Sequence, residues 1–279
     1  MKQTYDHPYR VLQFCASNSD AALVIVTQVT GGTLRSSGAM MAVTAHDVAG
    51  YISNGCVDAD IITRARAGQS GSLVYGTGSP FRDIILPCGG SIHVELVQRP
   101  DRKAVLSALT DLQARRAANL IINDMSVRLV PTLCIRIAGR GAAFIALAEL
   151  ATAAGFEVCL QSPDANIHPD AQHLIDPSAG TSSVDDPWTA VVLLFHDHDW
   201  EPEILREALA SPAFYIGAMG SAKTHAARRD RLSELGVPNV EIDRIRGPIG
   251  LVPAQRDARC LAVSILAEII QAAPVEGVL

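Results

Sequence analysis

Six consecutive residues, Ala190-Val191-Val192-Leu193-Leu194-Phe195, offer no polar face at all. A strand of that kind must be covered on both sides, as in a parallel sheet packed between helices. The sequence keeps to the same grammar from Pro131 onward. Leu133 to Ile137 reads as a strand, Gly139-Arg140-Gly141 as a turn, and the alanine-rich stretch to Ala154 as a helix ended by Gly155. Phe156 to Leu160 and Phe214-Tyr215-Ile216 supply further strands, each with a helix behind it. Strands alternating with helices fold as a Rossmann-like, doubly wound parallel-sheet α/β domain.

The residues before Pro131 follow another rule. Ala21 to Thr30 and Met40 to Thr44 are rich in β-formers, separated by a Gly/Ser turn from Gly31 to Gly38. Leu73 to Tyr75, Asp83 to Leu86 and Ile92 to Val97 alternate with the period of two expected of strands. Asp58 to Ala67 reads as one helix, and a second opens at Pro100-Asp101 and runs to about Ala117. The expected organisation is an N-terminal, mainly-β α+β domain over 1–125 and a Rossmann-like domain over 126–279. A length of 279 residues suits two such domains.

Composition removes several function classes. The net charge is −6 with no Lys/Arg run, so no nucleic-acid partner is expected. No apolar stretch reaches bilayer length and Met1 to Arg10 is polar, so neither a membrane span nor a signal peptide is read. The six cysteines form no Cys-x-x-Cys and do not resemble a disulfide framework. A cytoplasmic chain with reduced thiols is the expectation.

Two of those cysteines are pressed against glycine: Asn54-Gly55-Cys56 and Cys88-Gly89-Gly90. Glycine there permits a tight turn and the close approach of a bulky group to the sulfur. The competing reading is that each thiol is a small buried hydrophobe. Three loops follow strands in the second domain, where ligands bind parallel sheets. Gly139-x-Gly141 opens a helix, but Phe144 stands where the dinucleotide fingerprint wants its third glycine. Gln161 and Ser162 stand where it wants an acid. NAD(P) is therefore disfavoured. His196-Asp197-His198-Asp199 has metal-ligand chemistry, yet Asp199 is placed to cap the next helix and no companion motif stands out. The loop Gly217 to His225, with Gly217, Gly220, a Ser221 cap, Lys223 and Thr224, has the makings of an anion site. Gly247-Pro248-Ile249-Gly250-Leu251 reads as a rigid turn. The final helix, Asp257 to Ala272, is apolar on nearly every side, and Glu268 within it needs a partner.

Five stretches in one order, Asn54 to Asp58, Cys88 to Gly90, Phe214 to His225, Gly247 to Leu251 and Ala262 to Ile270, resemble the XdhC/CoxI family of accessory proteins for molybdenum hydroxylases. The resemblance implies a chaperone, without turnover of its own, for the molybdenum cofactor, a molybdopterin with or without an attached nucleotide. Such a protein protects the cofactor, supports its sulfuration by a cysteine desulfurase, and inserts it into an apo-molybdoenzyme large subunit such as that of xanthine dehydrogenase. By the same analogy Cys56 and Cys88 handle the molybdenum or sulfur, with Arg35, Gly55, Asp58, Gly89 and Gly90 beside them. His196, His198 and the Gly217–Thr224 loop make further cofactor contacts, and a homodimer is expected. The sequence departs from the family at Gly32-Thr33-Leu34-Arg35, which keeps Arg but lacks Pro, at Asn54 and Asp58, and at Gly139-Arg140-Gly141-Ala142. Two alternatives stay open, an NAD(P)-dependent oxidoreductase on the Rossmann-like half and a metallohydrolase at His196/His198.

Overall fold

The computed structural model describes residues 7–32, 35–53, 55–79, 86, 89–123, 125–181, 183–196 and 199–273. The chain forms two compact units, one up to Pro131 and one from Thr132.

In the first unit the elements run α1 (Pro8–Ser17), β1 (Ala22–Thr30), β2 (Met40–Val43), β3 (Val48–Gly50), α2 (Cys56–Arg66), β4 (Gly71–Gly76), β5 (Ser91–Gln98), α3 (Arg102–Gln113), β6 (Ala118–Ile122) and β7 (Met125–Leu129). Five strands form an antiparallel sheet in the order β3-β2-β1-β5-β4. Both faces are covered. Leu23, Ile25, Met40 and Ala42 pack under α1, α3 and the β6–β7 hairpin. Ala22, Val24, Val26 and Met41 pack under α2 together with Tyr75. Double coverage is why β1 is apolar at consecutive positions and does not alternate.

Three features differ from the sequence expectation. Helix α1 rises from the polar lead because Pro8 sits in its first turn and His7 Nδ1 accepts from the Tyr9 N–H at 3.2 Å, while Val11, Leu12 and Cys15 supply a buried stripe. Helix α3 stops at Gln113, before Ala117, where Arg115 turns to φ +56°. The β6–β7 hairpin turns at Asn123 (φ +52°), a residue that tolerates the left-handed region. Because β6 and β7 share their core with α3, the division falls between Pro131 and Thr132 and not at 125/126. The expected strand Asp83 to Leu86 lies almost wholly outside the described residues.

The second unit runs β8 (Cys134–Gly139), α4 (Gly141–Ala153), β9 (Glu157–Ser162), β10 (Gln172–His173), β11 (Thr189–Leu194), α5 (Glu201–Leu209), β12 (Tyr215–Ala218), α6 (Ala222–Glu234), α7 (Asn239–Ile242), β13 (Ile245–Arg246) and α8 (Ala258–Ala272). Its sheet has the order β10-β9-β8-β11-β12-β13, and every pair is parallel. Numbered from β8, this is the 3-2-1-4-5-6 order of dinucleotide-binding folds. Helices α4 and α8 pack on each other, and α5, α6 and α7 share a core with Val191, Leu193 and Ile216. The apolar strand is buried throughout, as its sequence requires. Helix α8 is less enclosed than its composition implies, since Val263 is 57% exposed.

A buried cation in β8 organises the loops beyond it. Arg136 donates to Asp185 through Nε at 2.8 Å and Nη2 at 2.6 Å, and through Nη1 to Gln161 and Thr181 at 3.2 Å each. The Arg136 and Asp185 side chains are each 3% exposed, so the pair is dry and held by its own hydrogen bonds.

Candidate functional site

Antiparallel pairing gathers three loops of the first unit at one edge of its sheet. Thr30 at the end of β1 pairs with Ser91 at the start of β5, and Gly76 at the end of β4 pairs with the same residue. The start of β2 meets the end of β3, where Met41 pairs with Gly50. The loops after β1, after β3 and before β5 therefore share this edge, and they carry Arg35, Cys56 and Gly89-Gly90. The Arg35 guanidinium lies 4.8 Å from the centre of the Tyr51 ring, tying the first loop to the second. Such a cation–π contact contributes about 0.5–1 kcal/mol.

Cys56 is the first residue of α2 and is exposed, with Gly55 at the cap position. It is thus neither a buried hydrophobe nor half of a disulfide. The unpaired N–H groups of a helix's first turn carry partial positive charge toward whatever binds there. Asp58, two residues on, is buried. Its Oδ1 accepts from the Ile52 N–H at 3.2 Å and the Ser53 N–H at 2.8 Å, so it fastens the loop that leads into Cys56. That carboxylate is engaged by backbone, which makes Asp58 a positioning group for the thiol.

Gly90 is fixed by crowding, because a Cβ there would overlap the Thr30 carbonyl. The Thr77 hydroxyl donates to the Gly89 carbonyl and the Thr77 N–H to that of Gly90, each at 3.0 Å. Gly90 thus lets β1 and β5 close together at the rim, while Gly89 takes a left-handed φ of +68° in open space. Cys88, the second expected thiol, lies outside the described residues.

In the second unit, parallel pairing brings the loops after β8, β9, β11, β12 and β13 to the carboxyl edge of the sheet. The switch point falls between β8 and β11. Gly139 is required there, since a Cβ would run into the Leu194 carbonyl. The third-glycine and acidic positions of the dinucleotide fingerprint hold other residues. Phe144 is wholly buried in the core, and Gln161 is spent on Arg136, Gln172 and Ser183. His196 is exposed beyond β11, whereas His198 is outside the described residues. Among the described residues no three His, Cys, Asp or Glu side chains come together to hold a metal. Asp199 does not cap α5; Trp200 occupies that position without a side-chain hydrogen bond.

In the loop after β12, Ser221 caps α6, its Oγ accepting from the Thr224 N–H at 3.1 Å, while Lys223 is exposed and Gly217 is buried. Arg228 secures the loop by donating to the Met219 carbonyl at 2.7 Å. Burial first, then Arg228 and Arg229, hold the His225 imidazole below its usual value, so this ring is neutral near pH 7. The partner of Glu268 is also found. The Tyr215 hydroxyl donates to it at 3.0 Å and the Gly250 N–H donates to the same oxygen. The Gly247–Leu251 turn and the Ala262–Ile270 helix stretch are thereby one structural clamp.

Residues 14–76 match the XdhC and CoxI family, and residues 135–269 match the XdhC Rossmann domain. The chain is 33% identical over 280 residues to the molybdenum cofactor insertion chaperone PaoD of Escherichia coli (strain K12), covering 91% of this chain and 83% of that protein. The chain belongs to the XdhC/CoxI family. A Bacillus halodurans crystal structure described as a xanthine dehydrogenase shares the fold, with a TM-score of 0.73, 20% identity and 95% coverage of both chains. Within this XdhC/CoxI member, sequence motifs located the rim loops. They missed the Asp58 clamp and the Arg136–Asp185 pair, since nothing in a spacing announces a carboxylate turned back onto its own loop or a partner 49 residues away.

Proposed function

We propose that this protein is a molybdenum-cofactor chaperone that binds the cofactor, shields it, supports its sulfuration and delivers it to an apo-molybdoenzyme. The observation that carries the reading is the rim of the first unit, with an exposed Cys56 on a helix N-terminus, Arg35 on the neighbouring loop and the glycine pair Gly89-Gly90. The name of the E. coli relative points the same way. Thiolates suit molybdenum and sulfur because all are soft and polarisable. Cys56 and Cys88 are the thiols assigned to that work, and Asp58 keeps Cys56 in place. The exposed edge of the second unit, with His196, Lys223 and Ser221, serves for anion contact or docking. A cysteine desulfurase supplies the sulfur, the client is the large subunit of an enzyme such as xanthine dehydrogenase, and the active form is a cytoplasmic homodimer.

The test is direct. Purified protein mixed with free cofactor retains pterin fluorescence and molybdenum through gel filtration, and the Cys56→Ser/Cys88→Ser variant loses both. Absence of binding by the unaltered protein at micromolar concentration overturns the proposal. Pull-downs with candidate apo-enzymes identify the client. The oxidoreductase alternative retains only the strand order in its favour, and calorimetry with millimolar NAD or NADP removes it if no heat is seen.

A further inference from the structure

A cavity of about 100 Å³ opens between α5 and α6. Its walls are mostly apolar, with Pro202 and Leu205 on one side and Ala227 and Leu232 on the other. Arg228 also lines it, and the side chain of Arg228 is only 3% exposed. Two corners of that guanidinium are spent: Nε and Nη2 donate to the Glu201 carboxylate at 2.9 Å each, and Nη2 to the Met219 carbonyl. Nη1 is equally buried and has no acceptor among the described residues. A buried donor of this kind carries a desolvation penalty that an incoming acceptor relieves.

The charge around the cavity selects the acceptor. Glu201 balances Arg228, which leaves Arg231 on the wall, mostly exposed and bridged to the solvent-facing Glu234. The first turns of α5 and α6 reach the cavity through Glu201 and Thr224, adding two positive helix ends. We infer that the cavity is a binding site for a small organic carboxylate, its oxygen accepting from Arg228 Nη1 and its apolar body lying between Leu205 and Leu232. The volume admits a body of roughly three to six carbons. Inorganic phosphate satisfies the donor but leaves the apolar walls uncovered. The same guanidinium holds Met219, so an occupant bears on the position of the loop after β12. The site goes beyond the chaperone reading and does not depend on it.

The experiment uses the full chain with benzoate and isobutyrate as probes, followed by saturation-transfer NMR and thermal shift, with inorganic phosphate as control. Both carboxylates bind at millimolar concentration and phosphate does not compete. Ala227→Leu, a change on a part-open helix face, fills the cavity and weakens binding at least about tenfold. Arg231→Gln weakens it about threefold, the worth of an exposed charge. The inference is overturned if no carboxylate binds at about 10 mM, if phosphate competes equally, or if Ala227→Leu, shown folded by circular dichroism, binds as well as the unaltered protein.

Discussion

Replacing Asp58 by alanine should loosen the loop that presents Cys56 without dissolving the sheet beneath it. Two backbone donors depend on this one carboxylate oxygen, Ile52 at 3.2 Å and Ser53 at 2.8 Å. Hydrogen bonds to a charged group are each worth about 1.5–3 kcal/mol. Ile52 is wholly buried, so its N–H keeps nearly the full loss, while Ser53 is half-buried and recovers part of it from water. The sum is about 2–4 kcal/mol, corresponding to about 30- to 800-fold in an opening equilibrium. Native-state hydrogen exchange reads this locally, which matters because two units need not unfold together. The Ile52 and Ser53 amides should exchange faster by that factor, and Asp58→Asn, which keeps an acceptor but no charge, should show a smaller change. Cofactor retention should fall with loop order. If both amides in Asp58→Ala exchange at the unaltered rate, the carboxylate is not what holds the loop.

Other expectations are more compact. Arg136→Leu strands Asp185 in a site 3% exposed and should destabilise the second unit by about 3–5 kcal/mol, read as a urea midpoint shift; an unchanged midpoint contradicts the paired-charge account. Burial pushes the Cys15 thiol up to about 12, so brief alkylation at pH 8 followed by mass spectrometry should label the exposed Cys56, Cys159 and Cys260 and spare Cys15. The Arg259 side chain and the Cys260 N–H hold the Asp257 carboxyl at about 2, down from 3.8. A depressed folded value contributes stability above the unfolded value and loses it as pH falls through the folded one. The difference in Tm between the unaltered chain and Asp257→Asn should therefore persist at pH 5, shrink as pH falls toward 2 and vanish by about pH 1; a difference that persists unchanged at the acid end refutes the cap assignment.

What the sequence disclosed was mostly periodic or local. Ala190 to Phe195 could be nothing but a strand covered on both faces, and Ser221 announced a cap because the interaction spans three residues. Phe144 and Gln161 stand where the dinucleotide fingerprint wants a glycine and an acid, and the fold buries the first and bonds the second to Arg136. What stayed hidden depends on contacts distant in the chain. Helix α1 needs the core supplied by α3 and β2 to bury Val11 and Leu12. The Asp199 cap failed because the chain turns one residue later, at Trp200. Cys56 reads as part of a glycine-permitted turn ahead of a helix from Asp58, and it is instead the first residue of that helix.

The crowding at the rim has a further implication for how this sequence can drift. A methyl group on Gly90 meets the Thr30 carbonyl, and one on Gly76 meets the Gly90 carbonyl. In both cases the obstacle is main chain, so no second-site change of side chain can make room. These positions form an interlocked pair without compensatory partners, and lineages of this fold can vary the rim's loops freely only by leaving its hinge of bare backbone untouched.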